Sequence, residues 1–162
     1  MKSGSLILLV EDRKPDVLLL TEALKQSGLG NPVRVVDDGA KAVSYLSGQF
    51  PFSDRRKFPA PGVMLLDLSL PKMSGWEVLR WVRSKPEFKG LLVVVMTASL
   101  DASNLRRAYQ MGANSFLSKP CTAEDLLSLA KGFPARWFGA ERGSREAQEN
   151  VEGGHVVTVG GG

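Results

Sequence analysis

Five short apolar runs, at residues 5–10, 33–36, 62–66, 91–96 and 115–118, alternate with longer segments whose apolar residues recur at helical spacing. Val63 to Leu66 is too short for a helix and has no polar alternation, so it is predicted as a strand buried on both faces. Strands of this kind separated by helices build a parallel sheet with helices on both sides, an α/β, doubly wound arrangement of five strands and five helices. At 162 residues the chain fits a single domain that buries roughly two thirds of the surface its unfolded form exposes.

Helix boundaries are marked by punctuation residues. Pro15 suits a first helical turn, Val17, Leu20 and Leu24 share a face, and Gly28 and Gly30 stop the segment. Val43 and Leu46 belong to a second helix ended by Gly48. Trp76, Val78, Leu79 and Val82 mark a third, which begins after Ser74-Gly75 and stops before Pro86. Leu105, Ala108 and Met111 mark a fourth that ends at Gly112. The fifth begins at Thr122, an N-cap with Asp125 at the capping-box position, and runs through Leu126, Leu127 and Leu129 to Gly132 or slightly beyond. Residues 1–138 are read as the folded domain, and residues 139–162, polar and closing with Gly160-Gly161-Gly162, as a flexible Gly-rich tail in which Val156-Val157-Thr158-Val159 is the only strand-like run. Residues 49–61 contain three prolines and form a connection, expected to be pinned to the body by Phe50, Phe52 and Phe58.

The polar residues collect where strands end. The first run meets Glu11-Asp12, the third Asp67, the fourth Thr97-Ala98-Ser99, and the fifth leads into Ser118-Lys119-Pro120. In doubly wound sheets ligands bind outside the carboxyl ends of the strands, so these groups converge on one rim. Two carboxylates about 4 Å apart repel by roughly 4 kcal/mol at an effective dielectric near 20, so three together call for a cation or a shifted pKa. Mg²⁺, which takes oxygen ligands and keeps waters that phosphate oxygens replace, suits Asp12 and Asp67 with help from Glu11 and a backbone carbonyl. Zinc is disfavoured, because neither Cys121 nor His155, the only histidine, sits in a ligand cluster. A phosphoryl group brought to Asp67 would share its charge with the metal, with Lys119 and with the Thr97 hydroxyl.

This constellation resembles the receiver domain of two-component response regulators over about residues 5–133. The resemblance implies a flavodoxin-like fold with strand order 2-1-3-4-5. It also implies that Asp67 is the phosphoacceptor, that Thr97 is the switch hydroxyl, and that Lys119 is the lysine that holds the phosphoryl group. Glu11, Asp12, Asp67 and the Ser69 backbone carbonyl would hold Mg²⁺, Phe116 would be the aromatic switch, and the Lys119-Pro120 peptide would be cis. Three features depart from the common pattern: Arg13 follows the acidic pair, where its charge could reach Asp67 or a phosphoryl donor; Phe116 lacks a hydroxyl; and Ser69 and Ser99 are both small and neutral.

The function implied is that of a single-domain response regulator, phosphorylated on Asp67 in a phosphorelay and acting through protein contacts. It would not be an enzyme in the usual sense, although it would assist its own phosphorylation and dephosphorylation with Mg²⁺. The partner would be a sensor histidine kinase or a phosphotransfer protein. The Leu-Val-Glu-Asp-Arg-Lys-Pro-Asp motif and the long basic connection resemble stand-alone receivers, some of which pair with phytochrome-type kinases. A monomer and a homodimer through helix four, strand five and helix five both remain open, with Leu100, Tyr109 and Phe116 on that output face and Leu105 in the core. A cytoplasmic protein is expected, with no membrane partner, because no apolar stretch approaches about 20 residues. A net charge of +4 spread along the chain gives no reason to expect nucleic acid. An aspartate-nucleophile phosphatase is disfavoured by Ser69, since such enzymes resemble Asp-x-Asp at the nucleophile.

Overall fold

The computed structural model describes residues 4–99 and 101–139. The expected tail, with His155 and Val156–Val159, and also Leu100, lie outside the described residues. Five parallel strands, β1 (Ile7–Val10), β2 (Val33–Val36), β3 (Val63–Asp67), β4 (Leu92–Thr97) and β5 (Ser115–Ser118), stand in the order β2-β1-β3-β4-β5. The connecting helices are α1 (Lys14–Ser27), α2 (Gly39–Ser47), α3 (Gly75–Ser84), α4 (Ala102–Gln110) and α5 (Ala123–Gly132). The flavodoxin-like order expected from the sequence is the one found.

Alternation along the strands assigns the two faces of the core. Leu8, Val10, Met64, Leu66, Val93 and Val95 pack with Ala42 and Tyr45 of α2, Val78 and Leu79 of α3, and Ala108 of α4. The intervening Ile7, Leu9, Val63, Leu65, Val94 and Met96 pack with Leu20 and Leu24 of α1 and Leu126 and Leu129 of α5. Helix starts follow the sequence signals: Ser74 caps α3, and Thr122 and Asp125 form the capping box of α5. In α4 only Ala108 is fully buried, and Leu105, expected in the core, is half-buried.

A sixth helix, α6 (Pro134–Phe138), corrects the count of five. It carries Trp137, fully buried beneath α1 and α5, onto the end of the sheet where the strands begin. Ser5 N–H donates to the Trp137 carbonyl at 3.1 Å, and the Asn31 amide donates to the carbonyls of Ser5 and Trp137 at 2.9 and 2.7 Å. Five residues that begin with a proline carry too little periodicity to be read as a helix.

The 49–61 connection is pinned by two of its three phenylalanines. Phe52 and Phe58 stack against Tyr45 and one another with ring centroids 5.0–6.1 Å apart, whereas Phe50 is 87% exposed. Arg55 joins the scaffold by donating to the carbonyls of Leu46 and Phe58. Among the described residues no helix is long and apolar enough to cross a membrane.

Candidate functional site

The register Val10–Leu66 between β1 and β3 brings the two acidic strand ends side by side. One carboxylate oxygen each from Glu11, Asp12 and Asp67 lies within 4.8 Å of the others. Glu11 and Asp67 are buried and Asp12 is exposed, so the cluster opens to solvent on the Asp12 side. A hard divalent cation fits this donor set: all three ligand groups are oxygen acids, two are already withdrawn from water, and the third faces incoming solvent.

Asp67 is the last residue of β3, and the chain turns into α3 directly behind it. A Cβ on Gly75 would lie 2.2 Å from the Asp67 carbonyl oxygen, so only glycine lets α3 begin this close. The Ser69 amide donates to Asp67 Oδ1 at 3.1 Å, so Ser69 enters the site through its N–H. On the far side of β1 and β3, Lys119 reaches in from the end of β5. Its Nζ lies 3.3 Å from Asp67 Oδ2 and 3.3 Å from Asp16 Oδ2, and it hydrogen-bonds Glu11 Oε1. The Lys119–Pro120 peptide is cis, as the sequence reading expected. Burial alone would lower the Lys119 pKa, but the Glu11 hydrogen bond and the Asp67 charge outweigh it and the ammonium is held above its ordinary value.

Asp16 is a site residue that sequence reasoning missed. It sits in the first turn of α1, where an acidic residue reads as an ordinary helix-start group. Its position also explains Arg13, whose guanidinium lies 3.8 Å from Asp16 and is directed to that carboxylate and not to Asp67. The Thr97 hydroxyl accepts from Ser99 N–H at 3.1 Å and lies 3.2 Å from the Ser99 carbonyl, closing the turn after β4. Phe116 is half-buried on β5, with its ring set edge-on to Tyr109 at 6.2 Å between centroids. Cys121 is half-buried beside the site, and burial raises its thiol to about 11, leaving it an inert filler.

Burial raises the Glu11 carboxyl to about 7; Lys119 opposes that shift and Asp67 adds to it. Because this folded-state value lies above the ordinary 4.5, Glu11 stabilises the metal-free fold below pH 4.5, and that contribution is lost as pH rises through 7. A divalent ion needs the ionised form, so its affinity is expected to rise about tenfold per pH unit between pH 5 and 7, with proton release, and then flatten. Calorimetric Mn²⁺ titration in buffers of different ionisation enthalpy measures both, and an affinity independent of pH below 7 would contradict it.

The sequence matches the response regulator receiver domain over residues 7–131. The chain belongs to that family. Response regulator Rcp1 of Synechocystis sp. is 35% identical to this receiver over 132 residues, spanning 82% of the chain and 88% of Rcp1. The Mn²⁺-bound structure of Rcp1 superimposes with a TM-score of 0.67 at 34% identity, covering 83% of this chain and 94% of the other. The bacteriophytochrome response regulator RtBRR gives a TM-score of 0.70 at 41% identity, covering 76% and 74% of the two chains. The phosphorylated cyanobacterial phytochrome response regulator RcpA gives 0.69 at 33% identity, covering 85% and 96%. The receiver is therefore a two-component signalling protein of the kind that pairs with histidine kinases, and its acidic cluster is of the divalent-metal type.

Proposed function

We propose that this receiver takes a phosphoryl group from a phytochrome-type sensor histidine kinase, or from a phosphotransfer protein, onto Asp67. The observation that carries this reading is the buried Asp67 carboxylate, clustered with Glu11 and Asp12 and 3.3 Å from the Lys119 ammonium. An Asp67 oxygen attacks the phosphorus of a phosphohistidine. The P–N bond breaks, its electron pair returns to the imidazole nitrogen, and that nitrogen takes up a proton. Glu11, Asp12, Asp67 and the Ser69 carbonyl would hold Mg²⁺, which when bound supplies positive charge against the phosphoryl oxygens. Lys119 orients Asp67 and meets the developing charge from the β5 side.

Thr97 must exchange its Ser99 contacts for the phosphoryl oxygens. That movement vacates space beside Phe116, and repacking of Phe116 against Tyr109 carries the change to the face of α4, β5 and α5. That face is the output surface and the contact through which two copies pair. The receiver domain spans residues 1–138, precedes a 139–162 tail, and works in the cytoplasm.

Incubation with Mg²⁺ and either acetyl phosphate or beryllofluoride, followed by intact mass and light scattering, tests this reading. Wild type is expected to gain an adduct that Asp67→Asn lacks, together with a shift toward dimer. Equal mass change in both proteins, or in neither, would sink the assignment of Asp67.

A further inference from the structure

Lys72 alone among the described non-glycine residues has a positive φ, 64°. A side chain in this left-handed region is strained, and such strain persists where the surroundings hold it in place. Here they do. Lys72 lies in the turn between β3 and α3, and its Nζ is 3.6 Å from Asp38 Oδ2, whose other oxygen caps α2 by accepting from Lys41 N–H at 2.7 Å. The same turn is pressed onto the start of α2: a Cβ on Gly39 would meet the Met73 carbonyl oxygen at 2.0 Å.

The placement of this pair follows from the sheet order. β1 lies between β2 and β3, and Asp12 and Asp38 each stand two residues beyond the registered pair Val10–Val36. The Lys72–Asp38 contact therefore joins the two strand ends that flank Glu11 and Asp12. Lys119 closes the acidic cluster from the α1 side, through Asp16, whereas Lys72 stands beside Asp38 where β2 and β3 end, on either side of β1. The two cations differ in how they are held. Lys119 is largely buried among three carboxylates, whereas Lys72 is 72% exposed, with an ion pair to Asp38 longer than a charge-assisted hydrogen bond and Asp37 nearby.

We propose that Lys72 is the rim cation that receives the anionic phosphodonor, exchanging Asp38 for a phosphoryl oxygen as the donor enters. This rests on the reading of Asp67 as phosphoacceptor and adds a donor-recognition residue to it. Asp38, itself buried, keeps its Lys41 N–H bond on the other oxygen when Lys72 departs.

The test measures two quantities on Lys72→Gln, Lys72→Gly and Lys72→Arg: the rate of Asp67 phosphorylation by acetyl phosphate, and the affinity for Mn²⁺. Loss of the cation is expected to slow phosphorylation about three- to fivefold in the Gln and Gly variants, with Arg near wild type. The deficit should shrink in 0.5 M salt by screening. Mn²⁺ affinity is expected to rise about twofold in the same two variants, because a like charge has left the rim. A loop that had merely lost its shape would weaken both quantities together, and Gly, which relaxes the backbone, would then outperform Gln. Unchanged phosphorylation rates in Gln and Gly, or parallel losses in rate and Mn²⁺ affinity, would overturn the role of Lys72 while the Asp67 adduct still formed. Absence of that adduct in wild type would overturn the function proposed above and this role with it.

Discussion

Replacing Trp137 with alanine is expected to lower folding stability by about 3–5 kcal/mol, the range for deleting a fully buried large aromatic side chain. Trp137 is 0% exposed and fills the space among α1, α5 and the starts of the strands. α6 has five residues and no side-chain cap, so it has little stability of its own and depends on Trp137, with Phe138 packed against the same core. When the indole is removed, the Ser5 and Asn31 bonds to the Trp137 carbonyl have nothing to hold that carbonyl in place. Trp137→Phe is expected to cost much less, because it keeps most of the apolar area and removes an indole N–H that has no partner. Urea unfolding followed by circular dichroism measures both variants. A loss under 1 kcal/mol in the alanine variant would show that α6 is an appendage. Phosphorylation of the folded fraction should survive, since α6 packs at the strand starts and the acidic cluster lies at the strand ends.

Lys119→Met is expected to slow Asp67 phosphorylation by about 10²–10³-fold, the usual loss when one preorganised donor to developing charge is removed. Methionine keeps much of the apolar stem but removes the ammonium that touches Glu11, Asp16 and Asp67. Glu11 and Asp67, both buried, would then face one another without a counter-charge, while Asp16 keeps Arg13. Part of that repulsion is relieved by protonation of Glu11, already raised to about 7 and pushed higher without the Lys119 hydrogen bond. The Glu11 contribution to the variant's stability is therefore largest at low pH and is lost as pH rises through the elevated Glu11 value, with a larger total loss than in wild type. Mn²⁺ should restore part of the loss. Rates from intact mass against time, with melting curves from pH 5 to 8, check both statements. A rate within tenfold of wild type would remove Lys119 from the phosphoryl-transfer machinery.

The strands were legible because each is a short apolar run whose alternate residues enter opposite faces of one core, as Leu8 and Leu9 do. The site was legible for a related reason. A carboxylate at the end of a doubly buried strand is costly, so Glu11, Asp12 and Asp67 pointed to one another before any coordinates did. What escaped were groups whose local setting is ordinary. Asp16 reads as a first-turn acid, Lys72 as a loop lysine and Pro134–Phe138 as the fraying end of a domain. The Thr97 hydroxyl was expected to face the phosphoryl group, yet in this state it closes its own turn with Ser99.

Sequence alone thus determined the α/β alternation, the helix caps and the set of acidic and basic groups at the strand ends, because each depends on residues near one another in the chain. Tertiary structure decided which of those groups meet. Lys119 finds Glu11 across 108 residues and Asp16 across 103, and Lys72 finds Asp38 across the end of β1. Those encounters are set by the strand order and by close backbone approaches at Gly39 and Gly75, neither of which is a local property of the chain.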